Sequence, residues 1–248
     1  MKTTFLTLLF FTTIAYGQIV NIENMRLAPK KQGFSGSVDL SLNYTMNTVQ
    51  FLQLGDRARL AYAKRKHYVL LLTDHTLVQS KNVDLVNLGF AHLRYNYTFK
   101  DSGLVILEVY EQAQFNKIQK INLRVLSGVG LRFHILDQIN YQLNVGTGLM
   151  AEYEELIDFG LSRDILSNNY LSFDGQFNEH IGMNVITYFQ PKLIDFGNYR
   201  IANETQVRFT INKHFTYRII YALTHDSRNI PDVRKTNYVF KNALSFTF

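Results

Sequence analysis

Cysteine and tryptophan are absent from the 248-residue chain, and proline occurs only three times. Without cysteine there is no disulfide scaffold, thiolate zinc site, iron–sulfur cluster or cysteine nucleophile. Scarce proline leaves long stretches of backbone able to donate to a ladder. Charged residues make up only 19% of the chain and aromatics as much as 14%, a balance that excludes a disordered chain. The formal net charge of +6 leaves nucleic acid or an anionic surface open until the charges are placed. No apolar run reaches the roughly 18 residues of a membrane-spanning helix.

What is present at the start reads as an export signal. Lys2 precedes an apolar run from Phe5 to Ile14, and Ala15-Tyr16-Gly17 is a small-x-small cleavage site. Cleavage is expected between Gly17 and Gln18, and a lipoprotein anchor is excluded because residue 18 is not cysteine. Export argues against nucleic acid as the physiological partner. The expected organisation is a signal peptide over 1–17, an N-terminal periplasmic segment over 18–32 and one barrel domain over 33–248.

Beyond the signal the hydrophobic period is two. Phe34, Val38, Leu40, Leu42, Tyr44 and Met46 alternate with Ser35, Ser37, Asp39, Ser41, Asn43 and Thr45. The same alternation returns in 121–133, 139–149, 215–224 and 237–248. It predicts strands near 33–47, 49–63, 66–79, 83–99, 103–115, 119–135, 138–154, 169–177, 181–190, 199–211, 215–226 and 235–248. Many are far longer than the 5–6 residues or so of a globular strand, and long enough for a tilted strand to cross hydrocarbon. Their polar face is a stack of Arg, Glu, Asn, Gln and Gly. The expectation is an all-β fold, an antiparallel transmembrane β-barrel with apolar residues outside and polar residues in the lumen. Twelve strands are expected, with ten as the alternative. With the N-terminus on the periplasmic side, the longest connections, around 155–168, 191–198 and 227–234, face outward.

The terminal strand, with apolar residues at alternate positions and Phe248 last, looks like the recognition signal of the outer-membrane barrel assembly machinery. Internally, His92 to Tyr97, Glu108, Gln112, Arg124, Gly128, Gly130 and Arg132 resemble the salt-induced outer-membrane protein family of Gram-negative bacteria. Tyr188, Pro191, Asp195, Tyr199, Arg200, Asp226 and Pro231 continue that resemblance, which covers the mature chain. It implies an outer-membrane barrel and little about activity. The implied surroundings are outer-membrane lipid and lipopolysaccharide, with assembly machinery and periplasmic chaperones during biogenesis. A monomer without nucleic-acid partners is expected.

No catalytic residues are assigned, because there is no G-x-S-x-G elbow and the seven histidines are scattered. No metal site or cofactor is expected. The glycines at 128, 130, 146 and 148 lie inside strands, where they make room for long side chains rather than cradle a phosphate. The candidate site is instead a charge network in the lumen: Arg94, Glu108, Gln112, Arg124, Arg132, Arg200, Glu204, Arg208, Arg218 and Asp226. Inward basic residues, with Arg57, Arg59 and Lys241 included, nearly balance the acids, among them Asp39, Glu152, Glu154 and Asp174. A turn at 100–102 would set Arg94 opposite Glu108, and a turn at 116–118 would bring Arg124 diagonally to Glu108. A turn at 212–214 sets Arg200 opposite Asp226 and, less favourably, Arg208 opposite Arg218. The expected function is an envelope-structural or stress-related barrel whose lumen is largely closed by this network. The alternative is a passive channel, or a transport-related barrel, with weak anion preference.

Phe240, Leu244, Phe246 and Phe248 form one stripe of the last strand, the expected assembly signal. Deleting Phe248, or replacing it with Asp, should leave exported but unassembled protein. The check is the amount of heat-modifiable barrel in the outer-membrane fraction, which should fall to near zero.

Overall fold

A computed structural model describes residues 32–46, 50–81, 83–99, 103–212 and 215–246. Period-two patterning becomes twelve strands: β1 (Gly33–Met46), β2 (Gln50–Lys64), β3 (His67–Ser80), β4 (Val83–Thr98), β5 (Val105–Asn116) and β6 (Ile121–Asp137). They continue as β7 (Tyr141–Leu156), β8 (Gly160–Gln176), β9 (Ile181–Pro191), β10 (Tyr199–Thr210), β11 (Phe215–Asp226) and β12 (Thr236–Phe246). Each strand pairs antiparallel with its sequence neighbour, in the order β1 to β12. Among the described residues no ladder joins β1 to β12. The expected signal cleavage at Gly17–Gln18, the turn at 100–102 and Phe248 lie outside the described residues, as do the side chains of Asp39, Lys241, Leu244 and Phe246.

The meander is rolled into a barrel, as contacts between strands remote in order show. Tyr170 on β8 donates to Glu108 on β5, Asn168 on β8 donates to Tyr110 on β5, and Arg200 on β10 meets Glu152 on β7. Lys120, in the β5–β6 turn, reaches Asp232 in the β11–β12 loop at 3.1 Å. The turns after odd-numbered strands therefore gather at one end of the barrel, called here the odd end, and those after even-numbered strands at the other.

Alternation decides which side chains face outward. Leu40 is 79% exposed, Leu149 51% and Leu171 50%, while Arg94, Glu108, Arg124 and Arg200 are buried on the opposite face. Apolar residues outside and charged residues inside is the sense of a lipid-facing barrel. The inner face is less uniformly polar than expected. Leu70, Leu72, Met150, Leu166 and Ile186 also point inward and are buried. Alternation in those strands is broken by runs that are apolar on both faces, such as Val69 to Leu72.

The expected loop at 155–168 is a tight turn instead. β8 begins at Gly160, and Ile157 to Phe159 alone connects it to β7. Asp158 at φ 68° and Gly160 at φ 83° take left-handed conformations there, which glycine and, less readily, aspartate tolerate. Ser, Arg, Asp and Asn in 162–169 have poor strand propensity, but lateral pairing with β7 overrides it. The longest connections observed between strands are 192–198 and 227–235, both at the odd end as expected.

Two glycines are the floor on which tyrosines lie. Tyr110 is paired with Gly128, and a Cβ at that glycine would sit 2.2 Å from its ring. Tyr170 is paired with Gly146, where a Cβ would come within 2.0 Å. Gly130 and Gly148 face each other across the β6–β7 ladder, too close to the opposing backbone for a side chain. The room-making role inferred from sequence is observed at Gly128 and Gly146, whereas Gly130 and Gly148 make way for opposing backbone. Gly146→Val should push Tyr170 off its seat at a cost of about 1–3 kcal/mol. A lowered unfolding midpoint in urea, with little change for Ala151→Val on the outer face, would check this.

A candidate functional site in the lumen

Arginines and carboxylates meet inside the barrel because their positions share parity on neighbouring strands. The densest group lies near the odd end and centres on Glu154, which is fully buried. Arg124 on β6 lies directly opposite Glu154 in the ladder and binds it through Nε at 2.8 Å and through Nη2. Arg200 on β10 reaches Glu154 at 3.4 Å, Asp226 at 3.1 Å and Glu152 through a short ion pair. Arg228, from the β11–β12 loop, pairs with the second oxygen of Glu154 and with Asp226 at 2.7 Å. Burial alone would lower the basicity of Arg228, but its bonds to Asp226 and Glu154 outweigh that and raise it. Three guanidinium groups face three carboxylates, Glu152, Glu154 and Asp226, so the cluster is neutral as a whole. Such multidentate pairing suits arginine's planar fork.

A cavity of about 30 Å³ beside this cluster is lined by Arg124, Arg200, Thr224, Asp226, Arg228 and Arg234, among others. That is room for about two waters.

A second group surrounds Glu108 further toward the even end. Arg94 lies at 3.5 Å and Arg132 at 4.0 Å from the same carboxylate oxygen, and the Tyr170 hydroxyl donates to the other at 2.8 Å. The Arg94 guanidinium is stacked over Tyr110, 5.4 Å from the ring centroid. Asn168 donates to the Tyr110 hydroxyl, and Gln190 donates to Asn168. Nearby, Gln112 accepts from His92 at 3.0 Å and donates to Gln114 at 2.6 Å. At the even end Arg208 meets Asp174 at 3.2 Å, and midway along β2 and β3 Arg57 meets Asp74 at 2.6 Å.

The register corrects two details of the network read from sequence. Arg94 faces Tyr110, and Glu108 faces Asn96, two residues out of the expected pairing, so Arg94 approaches Glu108 diagonally. β4 ends at Thr98, which pairs with Ile106 at the start of β5. Arg124 does not meet Glu108. The β5–β6 turn spans Lys117–Lys120, and a register shift at Gln114/Asn116 sets Glu108 opposite Gly130. Arg132 therefore takes the place foreseen for Arg124. Both changes are in steps of two, which keep the face and change the partner.

Arg200 lies opposite Asp226 and Arg208 opposite Arg218, as the expected β10–β11 hairpin requires. Of the like-charged pair, Arg208 meets the carboxylate of Asp174, from β8. Glu204 is on the inward parity of β10, facing Ile186 and Ala222. Phe240 is exposed on β12, and Leu244 and Phe246 pair with Tyr217 and Phe215. Arg228 was missed because it follows the last residue of β11. Its signal was parity, since it continues the inward even positions of that strand one step past Asp226. Among the described residues no group of three or more His, Asp or Glu is arranged to hold a metal ion.

Glu154→Ala would leave Arg124, Arg200 and Arg228 without their shared acceptor. Loss of one partner from a buried ion-pair cluster costs about 3–5 kcal/mol, a loss readable as a lower urea midpoint in micelles. Adding Arg124→Met should restore part of it, because one stranded cation is then removed.

Comparison with solved structures gives the same architecture. The NanC porin aligns with a TM-score of 0.50 and 11% identity, over 87% of this chain and 98% of its own. The KdgM porin in complex with disordered oligogalacturonate aligns at 0.45 and 11%, over 84% and 98%. At such identities the likeness is one of fold. No curated protein sequence matches the chain. The family match spans residues 36–248 and carries no response to salt in its description, "protein of unknown function, DUF481". It covers every strand of the barrel except the first residues of β1, and the chain belongs to the DUF481 family.

Proposed function

We propose that the protein is an outer-membrane channel for small solutes, with a slight preference for anions, whose odd-end mouth is held shut by the clamp on Glu154. The observation that carries this reading is Arg228. A side chain from a loop crosses the mouth to bind a fully buried carboxylate on the opposite wall. A loop contact of this kind can be made and broken without disturbing any ladder. Below it the lumen carries charged and amide side chains on most strands, a lining suited to water and polar solutes. Inward arginines slightly outnumber inward carboxylates, which favours anions only weakly. The porin-type fold agrees with a channel. Exported by its N-terminal signal, the chain would be inserted by the barrel assembly machinery with the odd-end loops outside.

A second reading, a structural barrel with a permanently closed lumen, is favoured by inward Leu70, Leu72 and Ile186, none of which is solvated. Planar-bilayer recording separates the two. As a clamped channel the wild type should show brief, small openings, and Arg228→Ala should lengthen them while the barrel stays folded. Silence from wild type, Arg228→Ala and Glu154→Gln alike would leave the closed structural barrel.

A further inference from the structure

The cavity beside the Glu154 clamp holds positive charge in excess. Arg124, Arg200 and Arg228 line it, joined by Arg234 and Lys235 from the β11–β12 loop. Among the described residues Asp226 is the only carboxylate in that lining, since Glu152 and Glu154 are bound by the guanidinium groups and are not part of the wall. Glu152, Glu154 and Asp226 together offset the first three arginines. Arg234 and Lys235 are exposed and meet no carboxylate among the described residues, so their charges remain over.

Two polar groups of the wall also lack partners. Arg124 turns Nε and Nη2 to Glu154, which leaves Nη1, on the other edge of the guanidinium, without a bond among the described residues. Thr224 faces the lumen from β11, on the same parity as Asp226. It is 6% exposed, and its buried hydroxyl oxygen has no hydrogen-bond partner. A buried hydroxyl in that condition is costly and calls for an explanation. A guanidinium N–H can only donate, and the hydroxyl can donate as well. Ile121, Ile230 and Val233 add apolar surface to the same cavity.

Two donors, surplus positive charge and apolar walls, around room for about two waters, suit a small monovalent anion. Water suits the place less well, because it brings its own protons toward guanidinium groups. Phosphate and sulfate demand more donors and more room. We infer that the cavity is a binding site for one chloride-sized inorganic anion, held by Arg124 Nη1 and the Thr224 hydroxyl beneath the β11–β12 loop. Arg234 and Lys235 raise the local concentration of anions at its entrance. Arg228 forms part of the wall, so the site is complete only while the loop is clamped, and an occupied site favours the closed mouth. The site goes beyond the channel reading above and depends on the clamp alone, binding whether or not the barrel conducts.

The test compares chloride with gluconate, an anion too large for the cavity, at constant ionic strength on the folded barrel in micelles. Raising chloride from about 1 to about 100 mM in place of gluconate should raise the folding equilibrium constant about tenfold, as for a site with a Kd of about 10 mM. The midpoint of urea unfolding reads that change. Thr224→Val keeps the shape and removes the hydroxyl; it should match or exceed wild type in gluconate and gain nothing from chloride. Thr224→Ser should retain the gain, and heat-modifiability confirms that each variant is a folded barrel. In crystals grown with bromide, an anomalous peak should lie between Arg124 and Thr224.

Equal gains from chloride in wild type and Thr224→Val would overturn the proposal, because screening or surface binding would then account for them. So would equal wild-type midpoints in chloride and gluconate, or a cavity that holds water alone in the bromide crystals. A barrel that is silent in planar bilayers yet gains stability from chloride would strike the channel reading and leave the site. One that opens normally without that gain would strike the site and leave the channel.

Discussion

Parity governs this molecule. A strand's side chains alternate between two faces, so every residue is committed to the lumen or to the outer wall by whether its number is odd or even within its strand. Slippage by one residue would carry Arg124, Arg132 and the glycines between them to the outer wall, and Leu123 and Leu131 inside. Slippage by two costs nothing in burial and changes only who meets whom. The barrel's charge network is therefore protected absolutely in its face and only weakly in its pairings. Turn lengths and register shifts settle the pairings, as the exchange of Arg132 for Arg124 at Glu108 shows.

The two ionic groups are built differently and do different things. Around Glu108 the partners Arg94, Arg132 and Tyr170 come from strands, and the aromatic rings of Tyr110 and Tyr170 hold the guanidinium and carboxylate groups in place over bare glycine backbone. That group is part of the wall. Around Glu154 two partners come from strands and the third, Arg228, comes from a loop. One member of that group can leave while the ladder stays intact. Buried ion pairs seldom stabilise a fold more than apolar packing would, although removing one partner from such a group is costly.

The outer face departs from its own rule in one belt. Glu111, Ser127, Asn169 and Asn203 obey parity yet carry polar atoms outward, at the same depth at which neighbouring strands present leucine. Their hydrogen bonds to neighbouring outward side chains reduce the cost without removing it, because a carboxyl group remains at the surface.

The amino-acid sequence by itself determined the all-β class, the twelve strands, the inward and outward faces, and the use of inward glycines to make room for long side chains; which tyrosine takes which glycine was decided by the register. The sequence also placed Arg200 against Asp226 and Arg208 against Arg218, because a short hairpin leaves only one register. Each of these follows from local periodicity or from neighbours close in the chain. Tertiary structure alone decided the rest. The turn at 157–159 was hidden because the polar run after it is poor in strand formers and pairs only by virtue of β7. The partners of Glu108 depended on the lengths of two turns, and those of Glu154 on the rolling of the sheet, which brings β6, β7, β10 and a distant loop to one point. Period two says which way a side chain faces; only closure of the sheet says what it will find there.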